Sequence, residues 1–310
     1  MATTVIHVET PLIESLPLSA SSGRRTLLKL EAVQPTGSFK ARGVGHACVE
    51  YQKRGATRFI SSSGGNAGLA VAFAGRRLGV PVTVVVPKTT SQRAKRLIEM
   101  EHARVIVHGE SWNDANAMAQ TLVDGSSAFV HPFDDPLLWT GHATLVDELV
   151  RQTQKPDAIV LSVGGGGLLC GVGEGLKRNG WSDVAVIAVE TGGADSYAQA
   201  LAAGKPVMLP RIESIASSLG AREVCAQSVD LARQLQIESV VVSDAQAVTG
   251  CITLLEDHRI LTEPACGASV AALTQQSSVL SRAKVVVLVV CGGVGVNSKQ
   301  LLDWDAAFRA

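Results

Sequence analysis

The sequence predicts a doubly wound α/β architecture with mainly parallel sheet, and three observations carry that prediction. Short Val- and Ile-rich runs alternate with longer amphipathic ones, the βαβα rhythm of crossover folds. Several of the short runs are apolar throughout, as strands buried on both faces are. The chain is 46% hydrophobic but only 4% aromatic, so its core is aliphatic. With 310 residues there is room for one large or two modest domains. No linker-like tract divides the chain. A second domain would therefore be an excursion out of one sheet rather than a separate bead.

In chain order, the strand-like runs are 58–61, 82–87, 105–108, 128–131, 158–163, 184–190, 240–242 and 284–290. Ser38, after Pro35-Thr36-Gly37, reads as a helix N-cap and puts Lys40 in a first turn. A helical run follows Gly68 over 69–78. Ser91 precedes a helix over 92–100. Ser111 with Asp114 forms a capping box before 115–123, and Ser243 with Gln246 forms another before a helix reaching His258. A helix starts near Leu168. The last strand ends near Cys291, and one helix, over 297–308, follows it, so no C-terminal regulatory module is expected.

Composition excludes several function classes. Lys+Arg and Asp+Glu both total 28, which leaves no basic surplus for nucleic acid. The longest strongly apolar stretch, 285–291, is strand-sized, so no membrane span is expected. Residues 1–10 lack the basic and apolar blocks of a signal peptide. The six cysteines, at 48, 170, 225, 251, 266 and 291, show no CxxC spacing. They predict neither structural zinc nor a dithiol motif, and suit reduced thiols in a cytoplasmic protein.

Four signals point to chemistry. Lys40 lies at the positive end of a helix dipole, where a cation is disfavoured and the amine is easier to deprotonate. A Schiff-base amine needs that property. Ser61-Ser62-Ser63-Gly64-Gly65-Asn66-Ala67-Gly68 links a strand to a helix and offers backbone N–H groups to an anion such as a carboxylate. Read alone, it is also a tight turn that needs glycine. Gly164, Gly165, Gly166 and Gly167 follow a buried strand and fit either a phosphate cradle or a close-packed turn. They match neither the P-loop nor, mid-chain, the dinucleotide fingerprint. Cys291-Gly292-Gly293 ends the last strand, where open α/β sheets place ligands. Neither His131 nor His142 is tied to Cys291 by a motif, so each reads as a structural or turn histidine rather than the base of a thiol nucleophile.

Together these parts ask for one amine-reactive, phosphate-bearing, planar ligand. Gly37-Ser38-Phe39-Lys40, Ser63-Gly64-Gly65-Asn66-Ala67-Gly68, His131-Pro132-Phe133-Asp134-Asp135-Pro136, Gly164 to Gly167, Glu263-Pro264-Ala265-Cys266-Gly267-Ala268 and Cys291-Gly292-Gly293 occur in this order, nearly end to end. In this the chain resembles the fold-type II pyridoxal-phosphate enzymes, whose fold is like that of the tryptophan synthase β subunit. Within them it resembles the short serine/threonine dehydratases.

The resemblance implies two open doubly wound domains. The large one comprises 1–37 and 135–310, and a small one, 38–134, is inserted in it. It implies that Lys40 forms the Schiff base and later removes the substrate Cα proton, that Phe39 packs on the pyridine ring, and that Asn66 bonds the ring hydroxyl. It gives the phosphate to Gly164, Gly165, Gly166 and Gly167, the substrate carboxylate to Ser63, Gly64 and Ala67, and the pyridine nitrogen to Cys291. Glu190, with carbonyls of Gly164, Ala194, Ser218 and Leu219, resembles a monovalent-cation site for potassium, although Glu190 alone also reads as a solvated strand-end carboxylate. The implied reaction is α,β-elimination of water from L-serine to pyruvate and ammonia, with L-threonine giving 2-oxobutyrate, in a homodimer. The alternatives on this scaffold are a serine racemase, for which Ser63 is the only obvious second base, and a threonine synthase. Outside it stand a non-catalytic pyridoxal-phosphate protein and a nucleotide-binding module.

Three departures bear on that reading. Gly64 replaces the alanine of some relatives and is expected to widen the substrate space. Thr140 stands where close relatives carry glutamate. Val294-Gly295-Val296-Asn297 differs from the Ser-Asn pattern that follows the Cys-Gly-Gly of some relatives.

Overall fold

The computed structural model describes residues 4–309. Residues 1–3, which begin both the segment 1–37 and the stretch read for a leader, lie outside the described residues, as does residue 310. The chain opens with β1 (Leu12–Glu14), α1 (Leu16–Ser22), β2 (Arg25–Lys29) and α2 (Lys40–Lys53). A regular alternation follows: β3 (Arg58–Ser61), α3 (Asn66–Leu78), β4 (Val82–Val86), α4 (Gln92–Met100), β5 (Arg104–Val107), α5 (Trp112–Thr121) and β6 (Ser127–Phe129). Then come α6 (Pro136–Gln152), β7 (Ala158–Ser162), α7 (Gly167–Arg178), β8 (Ala185–Thr191), α8 (Ser196–Ala203), α9 (Ala226–Leu231) and β9 (Ile237–Val242). The last elements are α10 (Asp244–His258), α11 (Pro264–Ala272), β10 (Val285–Val289) and α12 (Ser298–Arg309).

Two sheets form. One has six strands in the order β1-β2-β10-β7-β8-β9, and the other four in the order β5-β4-β3-β6. The four-stranded sheet is wholly parallel. In the six-stranded sheet only β1 runs antiparallel, pairing Ile13 with Leu28. Every residue of β7 and β8 is buried, which explains why these runs carry no polar alternation. Each sheet has its own apolar core: Leu161, Val186 and Leu288 belong to one, Phe59, Val71 and Val84 to the other.

Local signals place several elements where the sequence does. Both capping boxes form, Ser111 with Asp114 on α5 and Ser243 with Gln246 on α10, and the Ser91 hydroxyl caps α4 by accepting Ala94 N–H. One local reading is corrected. Ser38 is not the cap of α2: it pairs with Gly292 as an isolated bridge, Phe39 takes the cap position, and the buried Ser38 hydroxyl has no partner among the described residues. The pairing with Gly292 takes up the backbone at Ser38, and no side-chain hydrogen bond caps the helix.

Behind α2 lies a fully buried charge network. The Arg42 guanidinium reaches both carboxylate oxygens of Glu31 (2.7 and 2.8 Å) and both of Glu148 (2.6 and 2.7 Å). Lys29 Nζ donates to Glu148 at 2.5 Å. Burial opposes the charge on Arg42, but the two carboxylates outweigh it and push its pKa up. This network ties α2, two residues after Lys40, to β2 and α6.

Candidate active site

Three helices begin at one place without a side-chain cap. These are α2 at Lys40, α3 at Asn66 and α7 at Gly167. In α2 the Ala41 and Arg42 N–H groups already donate to the Ser38 and Phe39 carbonyls, so the dipole ends, with the opening N–H groups of α3 and α7, favour anions there. The three starts line a cavity of about 1030 Å³, together with Ser63, Pro132, Glu263 and Cys291. The loops after β3, β7 and β10 all enter it, as expected for the carboxyl ends of parallel strands.

Lys40 Nζ donates to the carbonyl oxygen of Pro132 at 2.5 Å and lies 5.0 Å from the centroid of the Phe39 ring. Burial lowers its pKa to about 8. The depression expected at this position is present, and its cause is desolvation. Phe39 also meets the His142 ring, with centroids 5.0 Å apart. His142 is fully buried, its pKa is well depressed by burial, and neither ring nitrogen has a hydrogen-bond partner among the described residues.

At the α3 start, Ser63 Oγ accepts Gly65 N–H at 3.3 Å. Asn66 Nδ2 donates to Glu263 at 2.7 Å, and its Oδ1 accepts Val294 N–H at 3.1 Å. The widening expected at Gly64 is corrected: a Cβ there would meet Thr90 Oγ1 at 2.6 Å and Cγ2 at 2.7 Å, so Thr90 already fills that direction. Thr140, in place of an acid, donates to the carboxylate of Glu174 at 3.2 Å.

The glycine run is shaped by close approach. A Cβ at Gly165 would fall 2.3 Å from the Phe133 ring, and Gly166, with φ +92°, takes a backbone conformation that suits glycine. Cys291 is buried at the end of β10. The neighbouring Cys266, and then burial, push its thiol well up, so the thiol stays neutral. All six cysteines are free.

Glu190 is fully buried, which removes the reading as a solvated carboxylate. It accepts Tyr197 N–H at 2.7 Å and Ala198 N–H at 2.8 Å, yet burial still raises its pKa to about 8. Gly164 lies beside the Ser218 carbonyl, and Ala194 packs with Leu219 in one small cluster. Ser196, at the start of α8, has a buried hydroxyl with no hydrogen-bond partner among the described residues. Sequence reasoning missed Ser196, Thr90 and the site role of Glu263. Only Glu263 carried a signal, as an acid directly before Pro264 at a helix start.

Residues 4–292 match the family described as pyridoxal-phosphate dependent enzyme. The chain belongs to this family. A mouse protein named serine dehydratase-like is 47% identical over 96% of this chain and 93% of its own length. A human L-serine dehydratase/L-threonine deaminase is 45% identical over 96% and 94%. The crystal structure of a fungal L-serine ammonia-lyase from Rhizomucor miehei superposes with a TM-score of 0.89, at 34% identity over 99% of each chain. The fold is therefore that of the pyridoxal-phosphate dependent enzymes. The residues present fit the cofactor: an uncapped helix start behind glycines that leave no room for side chains suits its phosphate, and a buried amine of lowered pKa suits its aldehyde.

Proposed function

We propose that the chain is an L-serine ammonia-lyase, eliminating water from L-serine to give pyruvate and ammonia and acting on L-threonine to give 2-oxobutyrate. The observation that carries this reading is the Lys40 amine, held beside two uncapped helix starts with a pKa of about 8. Lys40 would hold the cofactor covalently, Gly164 to Gly167 its phosphate, Phe39 its ring face, Asn66 its hydroxyl and Cys291 its ring nitrogen. Bound pyridoxal phosphate supplies the electron sink for negative charge at the substrate Cα.

The remaining work falls to the chain. Ser63, Gly64 and Ala67, at the start of α3, bind the substrate carboxylate and hold the Cα–H bond toward Lys40. The Lys40 amine, unprotonated in a useful fraction near neutral pH, takes the Cα proton. The neutral Cys291 thiol offers the ring nitrogen no charge. That would weaken the sink and favour elimination over transamination, the β-hydroxyl leaving as water with a proton equivalent to the one Lys40 takes from Cα. Racemisation needs a base on the opposite face. Ser63 is the candidate there, but its oxygen accepts Gly65 N–H at the loop turn. Glu190, carbonyls of Gly164, Ala194, Ser218 and Leu219, and the Ser196 hydroxyl would hold a potassium ion.

We assign 38–134 to a small domain and 1–37 with 135–310 to a large one. The division is supported by the two separate sheets, and substrate binding would close the cleft between them. No described helix is long and apolar enough to cross a membrane. A cytoplasmic homodimer is the reading that completes the assignment. The test is ketoacid release from L-serine with added pyridoxal phosphate and potassium, beside Lys40→Ala. Pyruvate from the wild type and none from the variant is the expected result. D-serine instead of pyruvate would move the chain to racemisation.

A further inference from the structure

Between β6 and α6 the chain turns through His131, Pro132, Phe133 and Asp134, and the turn touches the cavity at two points. The Pro132 carbonyl accepts from Lys40 Nζ at 2.5 Å, the one hydrogen-bond partner of that amine among the described residues. The Phe133 ring lies against Gly165, and its carbonyl, beside Gly167, accepts Trp139 Nε1–H at 2.9 Å.

The His131 side chain holds this turn. Its Nδ1 accepts the backbone N–H of Phe133 at 3.3 Å and that of Asp134 at 2.8 Å. A ring nitrogen that accepts N–H bonds is unprotonated, so the tautomer carries its proton on Nε2. Burial lowers the pKa of the imidazole, which keeps it in that neutral form. The ring stands edge-on to Phe129 and Phe133, with centroids 6.3 and 4.7 Å away. Acceptance from residues two and three positions ahead is what Asn and Asp side chains do in Asx turns, and Nδ1 sits as many bonds from the backbone as an Asn Oδ1 does.

We propose that His131 is a positioning residue for the lysine chemistry: by holding the 131–134 turn it sets the Pro132 carbonyl against the Lys40 amine, and that carbonyl steadies the ammonium formed when Lys40 takes the substrate proton. The inference rests on the reading of Lys40 as the base. The groups that face Lys40 are Cys291 from the end of β10, His142 from α6 and His131 from the turn. Both histidines are held neutral, and Asp134 and Asp135 act on His131. Cys291 works against the desolvation of the ammonium from a distance, and the Pro132 carbonyl is the group that meets it by a hydrogen bond.

The test compares wild type, His131→Ala and His131→Asn as full chains. Before cofactor is added, the pH dependence of Lys40 acetylation by acetic anhydride reads the amine directly by mass spectrometry. In the holoenzyme the acid limb of kcat for L-serine reads the same group, and circular dichroism and melting report folding. In His131→Ala the acetylation midpoint and the acid limb move down together, from about 8 to about 7. In His131→Asn both return to the wild-type position, because an Asx turn replaces the imidazole. Unmoved midpoints in a folded His131→Ala protein, even with lower turnover, would overturn the proposal. If His131→Ala does not fold, a displaced midpoint in folded His131→Asn overturns it and a wild-type one supports it. Borohydride fixation of the cofactor somewhere other than Lys40 would instead bring down the reading of Lys40, while the acetylation midpoints still judge His131.

Discussion

Asn66 gives its side-chain amide to the carboxylate of Glu263 at 2.7 Å, which joins the first turn of α3 to the N-cap of α11. The pair extends into a small circuit. Glu263 also accepts Gly295 N–H at 3.2 Å, and Asn66 accepts Val294 N–H at 3.1 Å. The amide of Asn66 can therefore face only one way, with its nitrogen toward the acid. Asn66, the proposed partner of the cofactor hydroxyl, is oriented by a residue far away in sequence.

Replacement of Glu263 by Gln tests that orientation. The neutral amide loses a charge-assisted hydrogen bond of about 1.5–3 kcal/mol and brings a donor to a site that faces donors. Affinity for pyridoxal phosphate should fall by roughly tenfold to a hundredfold in a fluorescence titration. Unchanged affinity would mean that the contact does not orient Asn66.

Lys40 should cost stability in the cofactor-free chain. Its folded pKa, about 8, lies below the ordinary lysine value of 10.5, so the folded state binds fewer protons between those values. The penalty is full below about pH 8 and fades as pH rises toward about 10.5. Lys40→Met should therefore raise the unfolding free energy by roughly 1–3 kcal/mol near neutral pH while turnover drops by at least about a hundredfold. Urea melts at two pH values check it, and the gain should shrink at the higher one.

For Glu190 the sign is the reverse. Its pKa rises from 4.5 to about 8 on folding, so stability held below about pH 4.5 is lost as pH climbs through about 8. A bound potassium ion would favour the carboxylate and oppose that loss. The melting temperature in potassium chloride should exceed that in choline chloride by a margin that grows from about pH 6 to about pH 9. Glu190→Gln should abolish the margin. A margin independent of pH would place the cation elsewhere.

Gly64→Ala should act through Thr90. The new methyl group overpacks the loop at a cost of about 1–3 kcal/mol, or roughly 5- to 100-fold in kcat/KM for L-serine. Gly64→Ala with Thr90→Ala should recover kcat/KM to within about threefold of Thr90→Ala alone. Pyruvate assays on the four proteins give the coupling directly, and additive losses would rule out Thr90 as the obstacle.

What the sequence revealed was local. β3 and α4 fall where their runs and caps place them, and both capping boxes are visible because four consecutive residues contain each whole signal. Lys40 and the glycine turns could be read for the same reason. β1 and β2 could not: β1 has three residues, and the Lys29 of β2 looks like a surface residue until Glu148 supplies its counter-charge. α11 is small and apolar on every side, so no period marks it, and α6 went unread although Asp135 caps it ahead of Pro136. Thr90 beneath Gly64, Glu263 on Asn66 and Pro132 on Lys40 are contacts between distant segments, and neither period nor spacing encodes them.

β10 lies between β2 and β7, with Val285 set against Arg25. During synthesis the first strands must wait for the last one, while β3 to β6 are all available before β7 emerges. The four-stranded sheet is thus able to close on the ribosome early, and the six-stranded sheet only after nearly the whole chain is out. Through that interval the edge of β2 that β10 will cover stays open. That edge is where a nascent chain of this protein is most exposed to wrong pairing, and where a chaperone would be needed. Protease pulses on ribosome-stalled chains should find 58–129 resistant well before 25–29, and simultaneous protection of both would contradict this order.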